Sequence, residues 1–152
     1  MKIILPWLYV GGLRDTYETG LLKEYGIGAM LQIAAPVPQD EIESFYLPLE
    51  DGVPITERSF AQAVGFVKAQ RAAEKTVLIA CAMGISRSVT LAIAAVKEIE
   101  DMTLAEALGI VRVAHEAARP HPVLWKSLCQ RYGETIPYST VLRDDGNPIR
   151  RF

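Results

Sequence analysis

The feature that most constrains the fold is residues 77–92, VLIACAMGISRSVTLA, where two apolar runs are joined by a short segment. The first run is short and β-branched, which predicts a buried strand, and the second predicts a helix from about Arg87 to Ile99. The segment between them holds Cys81 and Arg87, six positions apart. A purely structural connection needs neither group, so we expect this loop to carry chemistry.

The same apolar stretch, residues 77–96, is long enough to suggest a membrane span. Its single charge is Arg87 near the centre, where insertion into a bilayer would cost roughly 2.5–3.5 kcal/mol. The N-terminal stretch MKIILPWLYVGG has Pro6 and Trp7 in its middle and no small-residue cleavage site, which argues against a signal peptide. We therefore predict a strand, a loop and a buried helix, with no membrane partner.

Strand patterns alternate with helix patterns along the rest of the chain. Predicted strands are WLYVGG, GAMLQIA, FYLPLEDGVP (which runs into a loop) and TVLIA. Predicted helices span residues 13–25, 57–73, 87–99 and 123–132, the second of them with Thr56 as N-cap. A further helix starts at the capping box Thr103 to Glu106 and is broken by Pro120 and Pro122. This alternation predicts a single α/β domain with a central, mostly parallel sheet flanked by helices.

Composition excludes several classes of function. A net charge of −2 leaves no broad basic surface, so a nucleic-acid partner is not expected. Two cysteines in 152 residues indicate a reducing, cytoplasmic setting rather than a disulfide framework. Cys129 lies in a helical pattern and is expected to pack in the core. His115 and His121 are expected to be surface or cap residues that do not adjoin the loop, and no metal site is predicted.

The loop between strand and helix can bind an oxyanion. Successive backbone N–H groups can curl around the anion, helped by the positive end of the helix dipole. Gly84 gives the backbone freedom to turn, Arg87 can pair with two phosphate oxygens, and the same field stabilises a thiolate at Cys81. The predicted phosphate-binding residues are Ala82, Met83, Gly84, Ile85, Ser86 and Arg87. This arrangement predicts phosphoryl transfer to sulfur.

CAMGISRS resembles the Cys-x5-Arg-Ser signature of the cysteine-dependent protein tyrosine phosphatases, specifically the dual-specificity branch. LPWLYVGGL resembles the opening strand of that family, LPLEDGVP its acid loop, and AARPHPVLWKSLCQRY its Arg-Pro segment and closing helix. The resemblance spans about residues 3–132. It implies a dual-specificity phosphatase-like catalytic domain over residues 1–133, followed by a C-terminal extension of unassigned role over residues 134–152.

The resemblance also implies roles for individual residues. Cys81 would be the nucleophile, Arg87 would hold the phosphoryl group, and Ser88 would donate a hydrogen bond that eases departure of the thiolate. Asp51, thirty residues before the cysteine, matches the general acid, and its neighbour Glu50 is the competing candidate. No metal or organic cofactor is implied.

Three functions remain open from the sequence. The first is a phosphatase acting on phosphotyrosine, and also on phosphoserine or phosphothreonine, in a phosphorylated protein or peptide. The second is a catalytically weak phosphate-binding module, which is suggested because Ala80 stands where the family usually has histidine. The third is a sulfur-transfer or arsenate-reducing enzyme, since such enzymes share the Cys-x5-Arg loop. The sequence assigns no oligomeric state.

Overall fold

A central sheet of five strands organises the molecule, whose computed structural model describes residues 1–142. The strands are β1 (Lys2–Leu5), β2 (Leu8–Gly12), β3 (Ile27–Gln32), β4 (Glu43–Tyr46) and β5 (Thr76–Cys81). Their order across the sheet is β1-β2-β5-β3-β4. Only β1 pairs antiparallel, while β2, β3, β4 and β5 pair in parallel. The prediction of a mostly parallel sheet is confirmed.

Helices follow β2 and β4 and make up most of residues 82–142. The helices are α1 (Thr19–Glu24), α2 (Glu57–Ala72), α3 (Arg87–Ile99), α4 (Leu104–Ala114), α5 (Pro122–Tyr132) and α6 (Tyr138–Leu142). Thr56 caps α2 by accepting a hydrogen bond from Ser59 N, and Thr103 caps α4 in the same way through Glu106 N. Both caps were predicted from the sequence. Within residues 1–142, every helix is too short or too polar to cross a lipid bilayer.

The two faces of the sheet are buried against different layers. Alternate residues of the central strands, such as Val77 and Ile79 of β5, pack with α2, α3, α4 and α5 in the main core. The residues between them, such as Leu78 and Ala80, pack with Leu22 of α1 in a smaller cluster on the other face. β5 is thus covered on both sides, which explains its continuous apolar sequence.

Two predicted helices differ from the observed ones. Residues 13–25 are split into a 3-10 helix, Leu13–Tyr17, and α1, because Glu18 has a ψ of 71° that is not helical. The Asp15 carboxylate accepts a hydrogen bond from Gly12 N and favours this separate short turn. Helix α4 ends at Ala114, well before Pro120, because His115 is already extended with a φ of −137°. The prolines therefore follow the break and do not cause it.

The described part of the predicted C-terminal extension, residues 134–142, packs on the rest of the molecule. Ile136 and Tyr138 contact the main core, and Val141 of α6 is almost fully buried. The Tyr138 hydroxyl donates a hydrogen bond to Pro120 O at 2.6 Å. The sequence RDDGNP at residues 143–148 is typical of a turn, and it lies outside the described residues.

Candidate active site

The predicted phosphate loop lies where β5 ends and α3 begins, at the carboxyl edge of the sheet. Cys81 is the last residue of β5, and its side chain is buried. The sulfur lies 3.1 Å from the Ser88 hydroxyl oxygen and accepts a hydrogen bond from Gly84 N at 3.2 Å. Carboxyl ends of strands in open α/β sheets are the usual position of ligand sites.

The surroundings of Cys81 favour its thiolate form. Burial by itself raises the pKa of the thiol, but three neighbours act in the opposite direction. They are the hydroxyl and amide of Ser88, the amide of Gly84 and the positive charge of Arg87. Together they outweigh burial, so the pKa of Cys81 lies below its ordinary value. A thiolate is the nucleophilic form of cysteine.

The loop carbonyl groups are held from outside by donors in neighbouring elements. The pairs are Leu13 N to Ala82 O (3.1 Å), His115 Nε2 to Gly84 O (2.7 Å), Arg119 N to Ile85 O (2.9 Å) and Thr90 N to Ser86 O (2.9 Å). In a planar trans peptide the next N–H points the opposite way from the carbonyl. The N–H groups fixed in this way belong to Met83, Ile85, Ser86 and Arg87, and these residues line one cavity.

Gly84 has the conformational freedom that the sequence predicts for it. Its φ is +73°, a left-handed conformation that favours glycine. A Cβ at this position would lie 2.7 Å from the carbonyl carbon of Gly11 in β2. The loop thus passes against the backbone of β2 at a distance that only glycine allows.

Two hydrogen bonds connect the loop that holds Asp51 to the predicted phosphate loop. The Ser86 hydroxyl donates to Asp51 Oδ1 at 2.7 Å, and it accepts a hydrogen bond from His121 N at 2.8 Å. Arg87 Nη1 donates to Leu49 O at 2.9 Å, two residues before Asp51. Asp51 therefore lines the same cavity as Cys81 and Arg87, whereas Glu50 does not line it.

A cavity of about 440 Å³ joins these groups. Six of its lining residues belong to the predicted site: Asp51, Cys81, Met83, Ile85, Ser86 and Arg87. Four others were not predicted: Arg119, His121, Pro122 and Tyr138. Within residues 1–142, no group of His, Cys, Asp and Glu side chains is arranged to hold a metal ion.

The expectation that both histidines lie away from the loop was wrong. His115 is buried and bonded to Gly84 O, and His121 lines the cavity, although both do sit at helix caps as expected. The sequence held a signal for His115. Helices α3 and α4 are joined by a short connection and pack together, so the end of α4 returns to the start of α3.

Ala80 and Cys129 also have clear positions. Ala80 faces away from Cys81, because successive strand residues alternate, and it is buried in the smaller cluster. Cys129 is partly buried against the main core, as its helical pattern predicts. Both cysteines are free thiols.

Comparison with known proteins identifies the family. The family described as dual specificity phosphatase, catalytic domain, matches residues 8–134. Human dual specificity protein phosphatase 16 is 34% identical over 127 residues, which are 78% of this chain and 18% of that protein. Mouse dual specificity protein phosphatase 22 is 28% identical over 158 aligned positions, covering 99% of this chain and 85% of that protein.

The fold agrees with these matches. The crystal structure of human DUSP28 matches with a TM-score of 0.82 at 20% identity, covering 88% of this chain and 96% of that one. This chain spans about a third or less of the length of the first curated relatives that it matches. Because the family match covers most of the chain, including Asp51 and the segment from Cys81 to Ser88, this chain belongs to the dual specificity phosphatase catalytic-domain family.

Proposed function

We propose that this protein hydrolyses phosphotyrosine, and also phosphoserine or phosphothreonine, in phosphorylated proteins through a cysteinyl-phosphate intermediate. One observation carries the proposal. A thiol whose pKa is lowered lies at the base of a cradle of backbone amides, in the same cavity as a carboxylic acid and an arginine. Such a site supplies a nucleophile, an oxyanion cradle and a proton donor together.

In the first step, the Cys81 thiolate attacks phosphorus while the bond from phosphorus to the leaving oxygen breaks. The leaving oxygen keeps that electron pair and takes a proton from Asp51. Arg87 and the loop amides stabilise the charge on the three other phosphoryl oxygens. The phosphoryl group is then bonded to sulfur.

In the second step, water attacks phosphorus and gives a proton to Asp51, which now acts as base. The bond between sulfur and phosphorus breaks, and its electron pair returns to Cys81. The Ser88 hydroxyl, 3.1 Å from the sulfur, can donate a hydrogen bond to the departing thiolate. Inorganic phosphate leaves and the enzyme is restored.

The hydrogen bond from Ser86 supports the role of Asp51. Because Asp51 Oδ1 accepts from the Ser86 hydroxyl, Oδ2 is the oxygen left to carry the transferred proton. Ser86 is itself held by His121 N. We propose that these contacts orient the carboxyl group toward the leaving oxygen.

The rim of the cavity favours an aromatic leaving group. Met83 is 76% exposed at the loop, and Ile85, Pro122 and Tyr138 line the same cavity. Apolar and aromatic side chains of this kind can pack on the ring of a phosphotyrosine. Tyr138 belongs to the segment after the predicted domain end at residue 133, so we propose that this segment is part of the catalytic unit.

A phosphate-binding module without turnover is the second candidate, because Ala80 replaces the histidine usual in the family. It predicts phosphopeptide binding with an unreactive thiol. The lowered pKa of Cys81 and the placement of Asp51 in the cavity support turnover instead. Membership of the phosphatase family favours neither sulfur transfer nor arsenate reduction.

The test is steady-state hydrolysis of matched phosphotyrosine and phosphothreonine peptides by the parent and by Cys81→Ser. We expect turnover by the parent, faster on phosphotyrosine, and none by the variant. Phosphate or vanadate binding by the variant would show that its cradle is intact. Binding of phosphopeptides by the parent without any hydrolysis would instead identify the binding module.

A further inference from the structure

His115 is a buried polar side chain that the proposed reaction does not use. It is 6% exposed, and its Nε2 lies 2.7 Å from the carbonyl oxygen of Gly84. A carbonyl oxygen can only accept a hydrogen bond, so Nε2 carries the proton and donates it. Nδ1 is buried without a hydrogen-bond partner. The His115 ring therefore makes one hydrogen bond, from Nε2 to the Gly84 carbonyl oxygen of the phosphate loop.

The position of this hydrogen bond on the loop gives it a consequence for phosphate binding. The Gly84 carbonyl and the Ile85 amide belong to one planar peptide and point in opposite directions. When His115 holds the carbonyl outward, the amide faces the cavity that Cys81 and Arg87 also line. The N–H of Gly84 is directed at the Cys81 sulfur, so both sides of this residue are fixed.

His115 differs from the other supports of the loop. The carbonyls of Ala82 and Ile85 are held by backbone amides, which every residue except proline supplies. Gly84 O is held by a side chain from the end of α4, and glycine with a φ of +73° has little steric restraint of its own. The orientation of this peptide therefore depends on the residue at position 115.

We infer that His115 is a positioning residue, whose Nε2–H fixes the Gly84–Ile85 peptide so that the Ile85 amide binds the phosphoryl oxygens. This inference rests on the proposed function, because the cradle is the one that would hold the substrate phosphate. His115 does not touch the reacting atoms. It acts through the loop, and binding of a phosphate analogue should report its effect even without turnover.

The experiment compares His115→Met with His115→Gln. Methionine fills similar space without a donor, while the glutamine amide can place an N–H near the same carbonyl. Two quantities are measured at one pH. The first is the affinity for orthovanadate, from the protection of Cys81 against alkylation by iodoacetate, and the second is kcat/KM with an aryl phosphate. Removal of one preorganised oxyanion donor typically costs about 10²–10³ in kcat. The His115→Met change displaces the Ile85 amide without removing it, so the loss should be smaller. We expect the Met variant to lose about tenfold or more in both quantities and the Gln variant to recover most of it.

Urea unfolding of both variants shows whether stability changes. If His115 only packs, the Met and Gln variants will bind vanadate equally, and that result would overturn the inference. A parent that binds vanadate but hydrolyses nothing would refute the proposed function while leaving the vanadate comparison decisive. If the variants do not fold, nitrogen NMR of the parent shows which ring nitrogen of His115 carries the proton. The signal of the other histidine is identified by its loss in His121→Gln. A proton on Nε2 of His115 is expected, and the Nδ1–H tautomer would contradict the inference.

Discussion

At the scale of single residues, the reactivity of Cys81 depends on its own loop. Ala80 lies on the opposite face of the sheet and has no group that could act on the sulfur. The lowering of the pKa of Cys81 comes instead from Ser88, Gly84 and Arg87, all within the seven residues that follow it. The sequence therefore predicts this part of the site well, because consecutive residues determine it.

Ser88→Ala tests this account of the thiol. The hydroxyl of Ser88 lowers the pKa of Cys81 more than any other neighbour does, so its removal should raise that pKa. The pH midpoint of iodoacetate alkylation of Cys81 should move upward. Ser86→Ala is the matched control, because the Ser86 hydroxyl bonds Asp51 and not the sulfur. An unchanged midpoint in Ser88→Ala would contradict the role of this hydrogen bond.

Asp51→Asn tests the proposed role of Asp51 as the proton donor. A good leaving group hardly needs protonation, so the variant should lose far more rate on alkyl phosphates than on a nitrophenyl phosphate. General acid catalysis typically contributes about 10²–10⁴-fold. Glu50→Gln serves as the control, since that side chain lies outside the cavity. Equal losses on both substrate classes would point to a structural role for Asp51.

At the scale of elements, the site depends on which ends of helices and strands meet. Cys81 and Arg87 are placed by β5 and α3, which the sequence predicts to within a residue. His115, His121 and Tyr138 lie much further along the chain. The short connection between α3 and α4 brings the end of α4 near the start of α3, but no local pattern specifies which atoms these three residues contact. Their positions depend on tertiary packing, which is why sequence reasoning placed the histidines away from the loop.

Gly84→Ala tests the close passage of the loop over β2. The added Cβ would meet the Gly11 backbone, and φ of +73° would strain alanine. Because a displacement of about 1 Å in a catalytic group can cost about a hundredfold, we expect a loss of kcat/KM of that order. Gly65→Ala, where the new Cβ meets nothing, is the control. Similar activity in the two variants would mean that the loop is less constrained than the contacts indicate.

At the scale of the whole molecule, a cluster of charged side chains connects helices α2, α3 and α5. Glu98 of α3 accepts hydrogen bonds from Arg131 Nη2 at 3.1 Å and from the Tyr132 hydroxyl at 2.6 Å, both on α5. Lys68 of α2 lies 3.5 Å from the same carboxylate. The amphipathic patterns predict these helices, but they do not predict which charged side chains meet between them.

Glu98→Gln tests what this cluster contributes to stability. Partial burial raises the pKa of Glu98, but the hydrogen bonds from Tyr132 and Arg131 outweigh it, so the pKa lies below its ordinary value. Such a group stabilises the folded state above its unfolded pKa of about 4.3, and that contribution is lost as the pH falls through the lower folded value. In urea unfolding we expect the variant to be less stable by about 1 kcal/mol at neutral pH, allowing for solvent screening.

The difference between Glu98→Gln and the parent should shrink as the pH falls below about 4, because the parent carboxylate is then protonated. Glu43→Gln, at an exposed ion pair with Lys75, is the control and should change stability little. A loss in Glu98→Gln that stays constant down to acid pH would show that packing, rather than charge, explains the effect.

The most direct test of the central claim is to identify the residue that carries phosphate during turnover. The protein is mixed with a phosphotyrosine peptide that carries a radiolabelled phosphate, denatured within the first turnover and digested, and the labelled peptide is identified. The proposed mechanism predicts label on the peptide that contains Cys81, and more of it in Ser88→Ala, where departure of the thiolate is slowed. Sustained hydrolysis with no labelled protein, or with label only on another residue such as Cys129, would contradict a cysteinyl-phosphate intermediate at Cys81.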